Sequence, residues 1–382
     1  MKTAVVSHLY PNRRYPANGT FVRDLFLQLN RRIQTDMLVP TVRSLPFTSR
    51  WRAAHEPFLE EDEAQRLRYL SIPRRHLPQL IRHNLSAAVT AHLDDHSYDL
   101  IHVNWLYPDG LSIPAIKRRN IPVVLTIHGS DWYKTRGRAS LRKVLHTSLQ
   151  QADNILTVGN TLKNDILSTY PELREKTHVI HNAVDFSVFR IPDSREQALA
   201  ALGWEPDRRH LLCVANINPE KGVDVLLDAF QHITNRNTIL HIIGNNPGDS
   251  YAQSVIAKIA QQQQVILHPP VTHEEIATYY QACDMLVLPS RKEGFGLSLA
   301  EAIACGKPVV STKSGGPEDI VTSANGYLVD VEAPEQLAGR IEMILSGEFP
   351  HGPDEIRQSI RDRFRSDIII GDIIKYYESL LT

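Results

Sequence analysis

The chain has 382 residues, of which 42% are apolar, 7% aromatic and 22% charged, enough material for a sizeable core and most naturally for two domains. Its 42 basic and 43 acidic residues give a formal net charge of −1, which argues against a nucleic-acid binder held by bulk charge, and the apolar content argues against disorder. No apolar run approaches the roughly 18–20 residues that span a bilayer, and the first apolar stretch is too short for a signal sequence, so a cytoplasmic protein is expected. Cys213, Cys283 and Cys305 stand singly without Cys-x-x-Cys spacing and read as buried free thiols rather than disulfides or zinc ligands. The near-neutral total hides two opposite halves: residues 1–190 carry a net +9 and residues 191–382 a net −10. Such a surplus suits an anionic partner, such as a phospholipid surface at the inner face of the membrane or a phosphorylated acceptor. Much of it lies at 66–82 and 136–143. In the first of these segments Leu67, Tyr69, Leu70 and Ile72 interleave with Arg66, Arg68, Arg74 and Arg75, as in a surface-lying amphipathic segment or a solvated helix face.

Short β-branched runs alternate with longer helical patterns throughout, the signature of parallel sheets built from βα units. The first half opens with a strand at 3–7, a loop to Gly19 and a helix at 21–30 with Val22, Leu25, Phe26 and Leu29 on one face. Strands follow at 36–39, 100–103, 123–127, 154–158 and 178–180. Periodicity lapses and turn residues collect over 182–194, which reads as a linker. A helix at 195–202 opens the second half, with strands at 210–215, 238–243, 265–267, 285–288, 308–311 and 326–329 separated by helices. The last apolar helical pattern, Ile368 to Leu381, needs a surface to cover, and the first domain is the candidate.

The stretch between the strands at 285–288 and 308–311 is the most informative. It holds two carboxylates, Glu293 and Glu301, with Gly294 and Gly296 between them where strand gives way to helix. There, backbone N–H groups approach an anion at the positive end of the helix dipole, an arrangement that cradles a diphosphate. Glu301 suits a ribose diol and Glu293 a sugar hydroxyl. A second strand-to-helix turn, Asn216-Ile217-Asn218-Pro219-Glu220-Lys221-Gly222, places Lys221 against the positive end of a helix, which a bound phosphate explains better than helix stability does.

Four motifs in order, His128-Gly129-Ser130-Asp131, Pro219-Glu220-Lys221-Gly222, Glu293-x7-Glu301 with Gly294-Phe295-Gly296 inside it, and Gly315-Gly316-Pro317-Glu318, make the chain resemble the retaining glycosyltransferases of family 4. The resemblance covers nearly the whole chain. It implies an α/β architecture of two facing Rossmann-like domains, the GT-B fold, with a C-terminal helix crossing back to the first domain. Residues 1–187 with 367–382 would form the acceptor-binding domain and 188–366 the donor-binding domain. Carried over residue by residue, Glu301 would bind the ribose, Glu293 the donor sugar, and Gly294, Phe295, Gly296 and Leu297 the sugar and phosphates through backbone groups. Lys221 would neutralise the leaving diphosphate, His128 would lie beside the donor sugar, and Gly19 would let backbone approach the phosphate. Glu293, Lys221 and His128 are thus the candidate catalytic groups.

The chain departs from the family's pattern at Asn216, where an Arg usually supplies a second phosphate-binding cation, and around Gly244, where the usual Gly-x-Gly-Pro reads Gly244-Asn245-Asn246-Pro247. Leaving-group stabilisation would then lean on Lys221, a helix dipole and Arg291 or Lys292. No Asp-x-Asp occurs, so no metal and no cofactor are expected. The expected activity is transfer of a hexosyl group from a nucleotide diphosphate sugar, a UDP-sugar or GDP-mannose, to a lipid-linked or polysaccharide acceptor with retention of configuration. A nucleotide-sugar-binding protein or epimerase of the same fold remains open. A hydrolase fits less well, because Gly296-Leu297-Ser298-Leu299-Ala300 puts Ser298 inside a helix and replaces the last glycine of the nucleophile elbow. A dinucleotide-dependent dehydrogenase lacks its glycine fingerprint after the first strand.

Overall fold

The computed structural model describes residues 1–13, 18–43, 64–71 and 78–382. The chain forms two compact units, Met1–Ala183 with Ile369–Thr382, and Val184–Ile368. Each is a parallel sheet with helices.

In the first unit β1 (Lys2–Val6), β2 (Gln34–Arg43), β3 (Ala64–Leu70), β4 (Leu100–Asn104), β5 (Val123–Ile127), β6 (Asn154–Thr157) and β7 (Thr177–Val179) pair in the order β3-β2-β1-β4-β5-β6-β7, all parallel. In the second unit β8 (Arg209–Val214), β9 (Thr238–Ile243), β10 (Val265–His268), β11 (Met285–Leu288), β12 (Val309–Thr312) and β13 (Gly326–Val329) run β10-β9-β8-β11-β12-β13, again all parallel. The central strands β4, β5 and β11 are buried along their whole length, which is why they read as unbroken apolar runs without alternation. Strand order reverses between β1 and β4 and between β8 and β11, so the crevices open to ligands lie at the carboxyl ends of these strands.

The segment around Arg66 corrects the reading of 66–82 as a continuous amphipathic face. Residues 64–70 form the edge strand β3, in register with β2 from Met37↔Ala64 to Arg43↔Leu70. Leu67 and Tyr69 are buried while Arg68 and Leu70 face out, the period of two of a strand rather than that of a helix. Ile72, Arg74, Arg75 and Leu77 lie outside the described residues.

The final helix, Ser366–Glu378, buries Ile369, Ile370, Ile373 and Tyr377 in the core of the first unit, beside Val5, Val22, Phe26 and Leu29. The apolar pattern at the end of the sequence therefore finds its surface on the first domain. His102 clamps it there, with Nδ1 2.6 Å from the Tyr377 hydroxyl and Nε2 2.6 Å from Thr126 Oγ1.

Candidate active site

In the second unit the loops after β8 and β11 are drawn together by glycine. Gly222 has φ +63°, and a Cβ there would stand 2.2 Å from the Pro289 carbonyl oxygen. Only a residue without a side chain allows this approach. The backbone N–H groups of Arg291 and Lys292 donate to the Glu220 carbonyl at 2.8 and 3.2 Å, closing the two loops on each other. Lys221 Nζ consequently reaches Glu293 Oε2 at 2.5 Å, with both side chains largely shielded from solvent. Ser290 Oγ donates to the same oxygen at 3.3 Å, and the Gly294 N–H to Oε1 at 3.2 Å.

This corrects the sequence argument for Lys221. The lysine ends a short 3-10 turn, Pro219–Lys221, just before the helix Val223–Gln231 begins, and its anion is already supplied by Glu293. No external phosphate is needed to explain its place. Arg291 is engaged as well: its guanidinium grips Asp224 at 2.8 and 2.9 Å, pairs with Glu332 and donates to the Pro219 carbonyl at 2.8 Å. These carboxylates raise its pKa further, so it is a permanent structural cation of the loop rather than an unengaged one.

Glu301 lies in the middle of the helix Leu297–Ala304 and is only 7% exposed. Its Oε2 accepts a hydrogen bond of 2.7 Å from the hydroxyl of fully buried Tyr280, and Oε1 lies 3.7 Å from His273 Nε2. Sequence reading missed Tyr280 and His273; a tyrosine on the buried face of a helix must find a partner for its hydroxyl, and that was the available signal. Gly296 caps the helix without a side-chain hydrogen bond, as Gly222 does for Val223–Gln231, so both helices present first-turn N–H groups that no capping side chain takes. Gly294 and Phe295 are buried beside it, Leu297 half-buried. Ser298 is the second residue of that helix, not the apex of a turn, which removes the geometry of a nucleophile elbow.

Asn216 is exposed and ties the loop after β8 to the loop after β9, its Oδ1 accepting from the Asn245 N–H at 3.0 Å. A Cβ on Gly244 would stand 1.9 Å from the Ala215 carbonyl oxygen, so that close approach, too, requires glycine. Gly244 and Asn216 thus adjoin at the ends of β8 and β9, on the same sheet edge as Lys221.

His128 and Gly19 belong to the first unit. Gly19 caps the helix Thr20–Asn30 with φ 70°. His128 follows β5, with Nε2 3.0 Å from Asn104 Oδ1 and Nδ1 buried with no hydrogen-bond partner among the described residues. Burial pushes it down to about 3, so the ring is neutral at physiological pH. It packs into an aromatic cluster with Trp105, ring centroids 4.4 Å apart, and Phe21, 5.0 Å apart, which also contact each other at 5.9 Å. Trp105 holds φ 78°, an unfavourable conformation for a bulky residue that costs about 1–3 kcal/mol and is retained where the surroundings over-determine it. Asp131, raised to about 6 by burial, accepts from the Leu106 and His128 N–H groups at 2.6 and 3.1 Å.

All three cysteines are free and buried, and burial raises their thiols, to about 12 for Cys213 and Cys283. Among the described residues no helix is long and apolar enough to cross a membrane.

Comparison with known proteins fits this geometry. Residues 19–188 match the family described as glycosyltransferase family 4, and residues 194–366 match glycosyl transferases group 1. An uncharacterised glycosyltransferase of Methanocaldococcus jannaschii is 28% identical over 75% of this chain and 77% of its own. A D-inositol 3-phosphate glycosyltransferase of Catenulispora acidiphila is 29% identical over 65% of this chain; the match spans 64% of that relative, somewhat under two thirds of its length. Among solved structures, sucrose-phosphate synthase from Thermosynechococcus elongatus superposes with a TM-score of 0.78 at 21% identity over 100% of this chain and 99% of its own. Anabaena HepE, solved in complex with UDP-glucose, gives 0.78 at 19% identity over 99% of this chain and 100% of its own. With the two family descriptions following one another along nearly all of the sequence, and two parallel α/β sheets to match, the chain belongs to the group 1 glycosyltransferases and has the GT-B fold.

Proposed function

We propose that this glycosyltransferase moves a hexosyl group from a UDP-sugar to a lipid-linked or glycan acceptor, without a metal ion and with retention of configuration. The observation that carries the donor half is the Lys221–Glu293 pair, in the same unit as the buried Glu301 carboxylate and two helix N-termini that no side chain caps. A lysine and oriented N–H groups suit a diphosphate, and a buried carboxylate suits a ribose diol. In this reading the acceptor oxygen bonds to the sugar's anomeric carbon, the bond to the diphosphate breaks, and the acceptor's proton passes to the leaving phosphate. The UDP-bound structures of HepE support uridine as the base. The net +9 of residues 1–190 supports an anionic acceptor or membrane face for the first unit. Relatives named for D-inositol 3-phosphate favour, as a second reading, a small phosphorylated polyol as acceptor.

The test is a thermal-shift panel with UDP, GDP and ADP, each with and without EDTA, on the wild type and on Glu301→Ala. Ligand at a hundred times its dissociation constant adds about 2.7 kcal/mol of stability. The expected result is selective stabilisation by UDP, unchanged by EDTA, with affinity reduced about 10–100-fold in Glu301→Ala, the worth of hydrogen bonds to a charged group. Silence toward every nucleoside diphosphate would sink the donor reading. Conversion of a UDP-sugar to its epimer without an acceptor would replace transfer by isomerisation.

A further inference from the structure

Three histidines line one face of the second unit's sheet, one on each of three adjacent strands: His210 on β8, His241 on β9 and His268 on β10. In the strand register His210 lies opposite Ile239, two residues before His241, and His268 lies opposite Ile243, two residues after it. Steps of two keep all three side chains on the same face and carry the row diagonally toward the carboxyl ends of the strands. The rings are hydrogen-bonded in series. His210 Nε2 is 2.8 Å from the Glu205 carbonyl oxygen, His210 Nδ1 is 3.0 Å from His241 Nε2, and His241 Nδ1 is 2.9 Å from His268 Nε2. His210 and His241 are buried and His268 half-buried, on a kind of sheet whose faces are ordinarily apolar.

These contacts fix where the protons are. A carbonyl oxygen only accepts, so His210 Nε2 carries a hydrogen; the bare Nδ1 of that neutral ring accepts from His241 Nε2–H, and His241 Nδ1 in turn from His268 Nε2–H. One further proton fits on His268 Nδ1, at the end of the row. A second would set two N–H groups against each other across an N···N contact and break it. Burial lowers the pKa of all three rings; His241, with a histidine on either side as well, is pushed down to about 3. The nearby carboxylates are already engaged. Asp284, which accepts from the His210 backbone N–H at 2.7 Å, is held by Arg195 and Arg209; Glu205 is paired with Arg208, and Glu275 caps its own helix through the Thr272 N–H.

Trp204 covers the row, its indole stacked on His241 with ring centroids 3.6 Å apart and on His210 at 4.7 Å. Tyr279 meets both Trp204, at 5.8 Å, and His268, at 5.5 Å, in edge-on contacts. It belongs to the helix His273–Ala282, whose next residue, Tyr280, donates its hydroxyl to Glu301. We propose that the three histidines form an acid-sensitive latch: neutral, they hold the helix His273–Ala282 in place through Trp204 and Tyr279, and on acidification the row breaks and the helix loosens, taking Tyr280 from Glu301. The latch is a property of the unit's own packing, and its consequence for a donor rests on the reading of Glu301 given above. One group works against it: His273, 3.7 Å from Glu301 and near Asp185, when protonated draws the helix toward Glu301.

The experiment is hydrogen–deuterium exchange of the full chain at about pH 7.5 and about pH 5.5, corrected for intrinsic rates, on the wild type, His241→Gln and His210→Gln/His241→Gln. Glutamine keeps a donor and an acceptor for the neighbouring rings and does not titrate. A histidine that is neutral when latched and has its ordinary value near 6.5 when open favours the closed form above that value and loses the preference as pH falls; over this interval it raises the opening constant about tenfold. On acidification, exchange in His273–Ala282 should therefore rise about tenfold more in the wild type than in His241→Gln, and about a hundredfold more than in the double variant. The helix Pro334–Leu345 of the same unit should keep its protection. His273 is common to all three proteins and drops out of the comparison, and the single variant decides the matter if the double variant does not fold. UDP at about a hundred times its dissociation constant should slow exchange in His273–Ala282 about a hundredfold, because only the closed form presents Glu301. Equal pH responses in the wild type and His241→Gln, or a parallel loss of protection in Pro334–Leu345, would overturn the latch. UDP that binds and leaves the exchange unchanged would overturn its link to Glu301. Absence of UDP binding would count against the donor reading alone, since exchange in the free chain still decides the latch.

Discussion

Two glycines of the second unit share a backbone conformation and differ in their surroundings, which makes them a matched test of how the donor loops are built. Gly203 closes the helix Arg195–Leu202 at φ +67°, and a Cβ there would have nothing within 4 Å, whereas Gly222 has φ +63° and a Cβ there would meet the Pro289 carbonyl oxygen at 2.2 Å. Replacing either by alanine incurs the left-handed cost, about 1–2 kcal/mol. Gly222→Ala must in addition move backbone, a further cost of about 1–3 kcal/mol on the scale of overpacked cores. For domains of 150–250 residues about 2–4 °C of melting temperature correspond to each kcal/mol. Calorimetric melting should therefore show losses of about 2–8 °C for Gly203→Ala and about 4–20 °C for Gly222→Ala. The second variant should also respond less to UDP, because the loop that must shift carries Lys221 to Glu293. Equal losses in the two variants, or an unchanged UDP response in Gly222→Ala, would refute the idea that this contact sets the geometry of the ion pair.

Tyr280→Phe removes the hydroxyl that donates to Glu301 and should cost about 1.5–3 kcal/mol in urea denaturation; a double variant with Glu301→Gln should lose less than the sum, since the two residues share one interaction. His102 is fully buried, and burial holds its folded pKa at about 3 against an unfolded value near 6.5. Below pH 6.5 the unfolded chain takes up a proton that the folded chain refuses, so stability is lost as pH falls toward 3. This group alone should remove about 2 kcal/mol from the first unit at pH 5, seen by comparing melts at pH 7 and pH 5, and His102→Gln should flatten the dependence.

The strand-helix alternation was legible because buried parallel strands show as short β-branched runs: the segments 123–127, 238–243, 285–288 and 326–329 have in the structure the bounds read from sequence. Ala64–Leu70 was not, because an edge strand with Arg66 and Arg68 among its residues carries little apolar signal. Glu293, Lys221 and Glu301 were legible as a group through their placement at strand-to-helix turns. Their partners were not, since Lys221 and Glu293 are 72 residues apart and meet only because Gly222 admits the Pro289 carbonyl. In the first unit His8, Asp109 and Trp105 belong to no motif, and sheet order alone makes them neighbours by placing β4 next to β1.

The pairing of Lys221 with Glu293 changes how a diphosphate would be held. A lysine ammonium has three donors, and with one on Glu293 two remain for phosphate oxygens. Glu293 nevertheless places a negative charge beside the same anion, and Asn216 offers no second cation. Arg291 does not fill the gap while Asp224 and Glu332 hold its guanidinium. The remaining positive potential comes from the N-termini of Val223–Gln231 and Leu297–Ala304, each equivalent to about half an elementary charge. In the donor reading proposed above, a diphosphate would therefore be held chiefly by oriented backbone N–H groups, with Lys221 steered by Glu293 rather than left to swing. Such a binder is selective for the shape of the anion more than for its charge, because fixed N–H directions discriminate geometry where a mobile cation does not.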